Sequence, residues 1–198
     1  MLISILTFQG FNELDSFIAL GVLNRIKKPN WRVKICCPED VVTSMNGVTV
    51  MAQSQLKEVK NSDVVIVGSG SQTREVVQNS EIMEQLKLDP MRQLISAQCS
   101  GTLVLAKLGL LVKIPACTDL TTKPWVQEAG VKVLNQPFFA EDNIATAGGC
   151  FSSQYLASWV IAKTEGVKAA AEALHYVAPV GEKEEYVERA IRNIEKFI

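Results

Sequence analysis

The stretch Q-L-I-S-A-Q-C-S-G-T-L-V-L-A-K-L-G, residues 93–109, decides the fold. Residues 93–98 predict a strand, and residues 102–109 predict a short helix that ends at Gly109. Only three residues separate the two elements. A buried strand that leads directly into a helix is typical of a parallel sheet covered on both faces, so this stretch indicates an α/β protein.

The rest of the chain repeats this alternation. Further strands are predicted at 2–8, 31–37, 64–67 and 144–149, a small hairpin at 41–45 and 48–53, and helices at 12–27, 72–87, 151–165, 167–177 and 182–198. The pattern predicts a doubly wound, mostly parallel sheet in a three-layer α/β/α sandwich. Because there is no internal repeat or linker, we expect a single domain over 1–198. Reactive groups in such folds gather at the carboxyl ends of the strands.

Composition excludes several classes of partner. The 198 residues hold 20 Lys and Arg against 21 Asp and Glu, a net charge of -1, so neither nucleic acid nor a membrane surface is expected to bind. The apolar start MLISILTFQGF lacks the basic region of a signal peptide and is interpreted as the first strand. The five cysteines have no CxxC spacing, which favours reduced thiols and a cytoplasmic location.

Cys99 is the main candidate for chemistry. It follows a strand and precedes a helix, with the small residues Ala97 and Gly101 on either side, as in a nucleophile elbow. The helix N-terminus is expected to lower the thiol pKa, and the Ser100 N–H is expected to point toward an oxyanion formed at Cys99. The competing interpretation is a buried cysteine that closes a core strand.

Two other loops could complete a site with Cys99. Gly68-Ser69-Gly70 follows a predicted strand, and the Gly70 N–H is a candidate second oxyanion donor, although the loop could equally be a plain tight turn. Asp15 lies early in the first helix. It could complete a capping box with Asn12, or it could turn inward toward Cys99 and carry protons.

The remaining candidates line a possible pocket. Thr118 and Asp119 lie in a polar connecting loop, and Cys150 follows two glycines at a strand end. The chain has one histidine, His175, in a late helical stretch, so a multi-histidine zinc site is excluded within one chain. We expect neither a metal nor another cofactor. Any chemistry is expected to depend on Cys, Asp, Glu and backbone N–H groups.

These motifs together resemble the ThiJ/PfpI superfamily, and within it most closely the isonitrile hydratase branch. The matching segments are F-x-G-F-N-E-L-D at 8–15, D-V-V-I-V-G-S-G at 63–70, A-Q-C-S-G-T-L-V-L-A-K-L-G-L-L at 97–111, A-C-T-D at 116–119 and A-T-A-G-G at 145–149. The resemblance runs to about residue 177 and leaves the helix at 182–198 as an extra element. It implies a flavodoxin-like sandwich and a homodimer.

The resemblance also implies roles for individual residues. Cys99 matches the elbow nucleophile and Asp15 the carboxylate that the hydratase branch sets against it, while Gly70 and Ser100 match backbone donors. Asp119 stands where the hydratase-like segment usually has histidine, Ser100 where many members have histidine, and Gly68-Ser69-Gly70 where the usual loop is P-G-G.

Three function classes follow. The leading hypothesis is a cysteine-dependent hydratase or hydrolase that acts on a small electrophile such as an isonitrile, with Cys99 as nucleophile and Asp15 as proton donor and acceptor. The second class is a thiol-based redox or stress protein, or a glyoxalase- or deglycase-like enzyme. The third class is a non-catalytic ligand-binding module.

Overall fold

A computed structural model describes all residues, 1–198, and has the predicted α/β architecture. The strands are Leu2–Leu6 (β1), Arg32–Cys37 (β2), Val41–Thr43 (β3), Thr49–Met51 (β4), Ser54–Gln55 (β5), Val64–Val67 (β6), Leu94–Gln98 (β7), Phe138–Glu141 (β8) and Ile144–Ala147 (β9). The helices are Glu13–Leu23 (α1), Thr73–Val76 (α2), Ser80–Gln85 (α3), Gly101–Lys107 (α4), Lys123–Glu128 (α5), Ser153–Glu165 (α6), Val167–Val177 (α7) and Lys183–Ile194 (α8). Turns of 3-10 helix cover Leu56–Asn61, Cys150–Ser152 and Glu195–Phe197.

Seven strands form one sheet in the order β5-β2-β1-β6-β7-β9-β8. All neighbours pair in parallel except β8, which runs antiparallel to β9 at the edge. The central strands are mostly apolar because both faces of the sheet are covered, and Val64–Val67 is apolar and buried at every position. After β1 the chain moves to β2 on one side and later to β6 on the other, so a crevice opens between the carboxyl ends of β1 and β6.

Helices cover both faces of the sheet. One apolar core lies between the sheet and α1, α6, α7 and α8, and the other lies between the sheet and α2, α4 and α5. The loops that follow β1, β6, β7 and β9 all open at the same edge, because these strands are parallel. This edge is where the sequence places its candidate side chains.

Some elements differ from the sequence prediction. The helix expected over 72–87 is divided into α2 and α3, because the Asn79 side chain accepts a hydrogen bond from the Ile82 N–H and starts a new helix there. The edge strands β5 and β8 and the helix α5 were not predicted. The hairpin of β3 and β4 is confirmed as an antiparallel pair outside the main sheet.

The C-terminal helix α8 packs against α6 and α7 and ends in the turn Glu195–Phe197. Its residues Ala190 and Ile194 are fully buried, and the Trp159 indole N–H donates to the Phe197 carbonyl at 3.0 Å. The tail is therefore joined to the core of the sandwich. None of the helices is both long enough and apolar enough to cross a bilayer.

Candidate active site

Cys99 occupies a sharp turn between β7 and α4. Its φ of 46° lies in the left-handed region, which non-glycine residues rarely adopt. The turn is held by the Cys99 N–H, which donates to the Ala147 carbonyl of β9 at 2.8 Å. Gly101 is required behind it, since a Cβ there would lie 2.5 Å from the Val67 carbonyl oxygen. The predicted elbow is therefore present, and a strained residue at such a place points to function.

Asp15 turns inward from the first turn of α1. It is 1% exposed, and a carboxylate oxygen of Asp15, Cys99 Sγ and Cys150 Sγ all lie within 4.8 Å of one another. The capping box does not form, because the Asn12 N–H donates to the Ser69 carbonyl instead. Of the two interpretations of Asp15, the inward one agrees with the structure.

The Asp15 carboxyl has an uneven environment. The Ser69 hydroxyl donates a hydrogen bond to Oδ2, whereas Oδ1 is buried with no hydrogen-bond partner. Burial raises the pKa of Asp15, and the bond from Ser69 offsets part of the rise. The carboxyl is thus suited to take up and return a proton, in a place where no histidine is available.

The pKa of Cys99 departs from the expectation. Burial, and then the negative charge of Asp15, raise the pKa of the Cys99 thiol well above its usual value, whereas the helix N-terminus was expected to lower it. The expectation was wrong because the sulfur is almost completely buried beside a second acid. Burial therefore favours the thiol form of Cys99 over the thiolate, and attack by the sulfur calls for a base beside it.

The two predicted backbone donors are not equivalent. The Ser100 N–H makes no hydrogen bond and is free to bind an oxyanion. The Gly70 N–H already donates to Ser100 Oγ at 3.0 Å, and the same hydroxyl lies 2.7 Å from Thr73 Oγ1. Gly70 could therefore bind a developing negative charge only after the Ser100 hydroxyl turns away.

The other predicted residues lie around Cys99. Thr118 Oγ1 donates to the Cys99 carbonyl at 2.8 Å and supports the elbow from outside. Asp119 accepts hydrogen bonds from the Thr121 and Thr122 N–H groups, both at 2.9 Å, so one of its oxygens shapes the loop before α5. Cys150 Sγ accepts a bond from Asn12 Nδ2 at 3.3 Å.

Gln98 was not among the predicted site residues. Its Nε2 donates to the Cys99 sulfur at 3.4 Å and to the Gly149 carbonyl at 2.8 Å, and its Oε1 is buried without a partner. A glutamine at the end of a mostly apolar strand, directly before the elbow cysteine, was the available signal. Since it contacts the sulfur, Gln98 belongs to the site.

A cavity of about 400 Å³ opens above Cys99. Its lining is mostly small and polar, with Met45 and Trp125 as the large apolar side chains: Asn12, Met45, Ser69, Gly70, Ser71, Cys99, Ser100, Asp119, Thr121, Thr122, Trp125, Gly149 and Cys150. No basic residue lines it, and Asp119 is its one acidic residue. His175 lies elsewhere, exposed on α7 and 3.6 Å from Glu184.

The site thus combines a buried cysteine at a nucleophile elbow with a neighbouring carboxyl, in an α/β sandwich. These features define a class of α/β proteins that carry a cysteine at the elbow. The chain belongs to the DJ-1/PfpI family, whose model matches residues 1–163. The superfamily suggested by the sequence motifs is thereby confirmed. Among curated proteins no match is found.

Solved structures support the fold. DJ-1 of Schizosaccharomyces pombe superposes with a TM-score of 0.76 at 16% identity, covering 90% of this chain and 100% of the other. A DJ-1 superfamily protein of Salmonella typhimurium, solved as a cysteine-to-alanine mutant, gives 0.76 at 21% identity with 90% and 98% covered. DJ-1beta of Drosophila melanogaster gives 0.75 at 19% identity, with 89% and 96% covered.

Proposed function

We propose that this protein is a cysteine-dependent hydratase of small neutral electrophiles, with Cys99 as nucleophile and Asp15 as proton carrier. The observation that carries the proposal is the approach of the Asp15 carboxylate to the Cys99 sulfur, within 4.8 Å, under a strained elbow. A thiol whose pKa is raised attacks only if its proton leaves at the same time, and Asp15 is the acceptor beside it.

The cavity favours uncharged substrates. With Asp119 as its only charged lining residue, it offers nothing to pair with a carboxylate or phosphate. Its small polar lining and the single large face of Trp125 suit a compact molecule with one apolar substituent. Isonitriles meet this description, and the sequence motifs resemble the isonitrile hydratase branch, so we propose them as the first substrate class.

The proposed reaction balances with water as the only co-substrate. Cys99 Sγ attacks the terminal carbon of the isonitrile while the thiol proton passes through the Asp15 carboxyl to that carbon, which gives a thioimidate, R–N=CH–S–Cys99. Water then adds to the same carbon, and the nitrogen takes a proton. Collapse expels the Cys99 sulfur, which regains its proton through Asp15 and leaves the formamide R–NH–CHO. The free Ser100 N–H is available to stabilise the oxygen of this second step.

The test is formamide production from cyclohexyl isocyanide, followed by proton NMR. We expect turnover by the wild type, none by Cys99→Ala, and a loss of about 100-fold or more in kcat for Asp15→Asn. Cys36→Ala removes a buried thiol on β2 that does not line the cavity; it is the control and should keep wild-type kcat. Full turnover by Cys99→Ala would disprove the mechanism with Cys99 as nucleophile.

The redox alternative depends on a thiolate. Peroxide oxidises the ionised sulfur, so a buried thiol of raised pKa reacts slowly. This argues for the hydratase over a peroxide sensor at Cys99. A ligand-binding module without catalysis would show stabilisation by the isocyanide in Cys99→Ala and no formamide in the wild type.

A further inference from the structure

The mechanism above uses Asp15 and Cys99 but leaves Cys150 without a role. Cys150 begins the turn after β9, and its sulfur lies within 4.8 Å of both Cys99 Sγ and an Asp15 carboxylate oxygen. The three side chains come from the segments that follow three different strands: helix α1 after β1, the elbow after β7 and the turn after β9. No other group of thiols, carboxylates and imidazoles in the protein approaches a common point in this way.

This spacing is close to that of a tetrahedral metal site. Zinc–sulfur bonds of about 2.3 Å and zinc–oxygen bonds of about 2.0 Å set neighbouring ligand atoms roughly 3.5–3.8 Å apart. Atoms that already lie within 4.8 Å of one another need to move by about 1 Å at most. Two sulfurs and one oxygen form a donor set for a borderline-soft divalent cation rather than for calcium or magnesium.

Two further observations point to a ligand at this place. Asp15 Oδ1 is buried, on a side chain that is 1% exposed, and no N–H or O–H group donates to it; besides Ser69, the polar groups that face this carboxyl are the Cys99 and Cys150 thiols. Each sulfur also receives an N–H donor, since Gln98 Nε2 donates to Cys99 Sγ and Asn12 Nδ2 donates to Cys150 Sγ. Such donors orient metal ligands and stabilise the thiolate form that binds the ion.

The cluster is reached from the cavity. Cys99 and Cys150 both line the cavity, and Asp15 lies beneath them. An ion held by the three side chains would have its fourth position on the cavity side, open to water or to a small ligand.

We propose that Asp15, Cys99 and Cys150 form a binding site for Zn²⁺, with one coordination position open to the cavity. The sequence had suggested that no metal binds. Coordination would engage both the Cys99 sulfur and the Asp15 carboxyl, which are the nucleophile and the proton carrier of the proposed reaction, so bound zinc opposes turnover. Zinc would then act as a reversible block on the nucleophile. The site itself depends only on the geometry of the three donors, and not on which substrate the protein uses.

The experiment is an anaerobic zinc titration of the reduced full-length protein against a chromophoric chelator. We expect one Zn²⁺ per chain, and a loss of affinity of more than about 100-fold in Cys150→Ala and in Asp15→Asn, since even the loss of a group that only orients a ligand costs roughly 10–100-fold. Cys36→Ala, which removes a buried thiol outside the cluster, should bind as the wild type does.

Cobalt substitution provides a readout that does not require the variants to fold equally well. In the wild type, Co²⁺ should give tetrahedral d–d bands and a thiolate-to-metal charge-transfer band with the intensity of two sulfur ligands. In Cys150→Ala that intensity should fall to the level of one. Absence of a one-to-one complex, or a complex with equal thiolate intensity in Cys150→Ala, would overturn the proposal. Neither readout involves turnover, so a failed zinc site and a failed hydratase are distinguishable.

Discussion

At the scale of single residues, the buried carboxyl of Asp15 and the buried thiol of Cys99 act on each other in opposite ways. Burial raises the pKa of both groups; the negative charge of Asp15 raises the pKa of Cys99 further, whereas a hydrogen bond from the Cys99 thiol lowers the pKa of Asp15. Of the two groups, Asp15 is therefore the one that ionises more readily. A proton can move between the two groups without a net charge change in the cavity, which is what a reaction on a neutral substrate needs.

This coupling predicts the pH dependence of alkylation at Cys99. An unperturbed thiol titrates near about 8.5, and we expect the iodoacetamide rate at Cys99 to keep rising well above that pH. Asp15→Asn removes a negative charge and so should move the rise to lower pH. The measurement is peptide mass spectrometry across a pH series. Asp119 also faces Cys99, and its charge acts in the same direction, so Asp119→Asn should give a smaller shift of the same sign.

Cys117 provides an internal reference in the same experiment. Burial alone raises its pKa to about 12, without a contribution from Asp15. Its alkylation profile should be the same in wild type and Asp15→Asn. A Cys99 profile that does not respond to Asp15→Asn would contradict the coupling.

The sequence identified Cys99 and Asp15 because both depend on local signals, namely small residues around an elbow and a helix that begins after a strand. It could not identify the partner of the Gly70 N–H, since Ser100 reaches that group only through the pairing of β6 with β7. The contact from Gln98 to the sulfur and the thiol pKa were missed for a related reason. Both depend on how deeply the elbow is buried, which spacing along the chain does not report.

At the scale of elements, β6, β7, α1 and α4 were predictable because their apolar residues follow the period of a strand or helix and end at clear turn signals. The edge strands were not. β5 has two residues, and β8 is a strand only because β9 offers it an antiparallel partner. The boundary between α2 and α3 depends on one side-chain cap at Asn79. The helical spacing of apolar residues continues through this cap, so the pattern over 72–87 predicts one helix.

The close approach of α4 to β6 predicts the effect of a single methyl group. In Gly101→Ala the new Cβ would lie 2.5 Å from the Val67 carbonyl oxygen and 2.8 Å from that of Gly68, so backbone must move. We expect the free energy of unfolding to fall by at least about 2 kcal/mol, measured by urea denaturation. Gly21→Ala, in α1 with no atom within 4 Å of its new Cβ, should instead add about 0.5–1 kcal/mol.

At the scale of the whole molecule, the family model ends at residue 163, but the packed structure continues beyond it. α7 and α8 complete the core on one face of the sheet, and the Phe197 ring contacts Phe138 and Phe139 of the edge strand β8. The C-terminal helix therefore covers an edge that would otherwise be open to another strand.

Ile194 tests how much α8 contributes to the core. It is fully buried, so Ile194→Ala should lower the free energy of unfolding by about 2–5 kcal/mol. Ile198→Ala removes the same side chain at a position that is 45% exposed and should change it by about 0.5 kcal/mol or less. Thermal unfolding followed by circular dichroism measures both. Equal effects of the two substitutions would mean that α8 does not contribute to the core.

Three expectations at this scale remain predictions. The homodimer would appear as twice the chain mass in sedimentation velocity, and the cytoplasmic location needs imaging of the tagged protein in its own cell. The single-domain organisation predicts one cooperative thermal transition that includes α8.

The left-handed turn at Cys99 also has a consequence for how the protein tolerates heat. A side chain with a Cβ costs roughly 1–2 kcal/mol at such a φ, and every molecule bears that cost, with or without substrate. Cys99→Gly should therefore be more stable than Cys99→Ala by about that amount, although both lack the sulfur. The difference between the two melting temperatures would measure how much thermal stability the protein loses by holding a side chain in the left-handed turn.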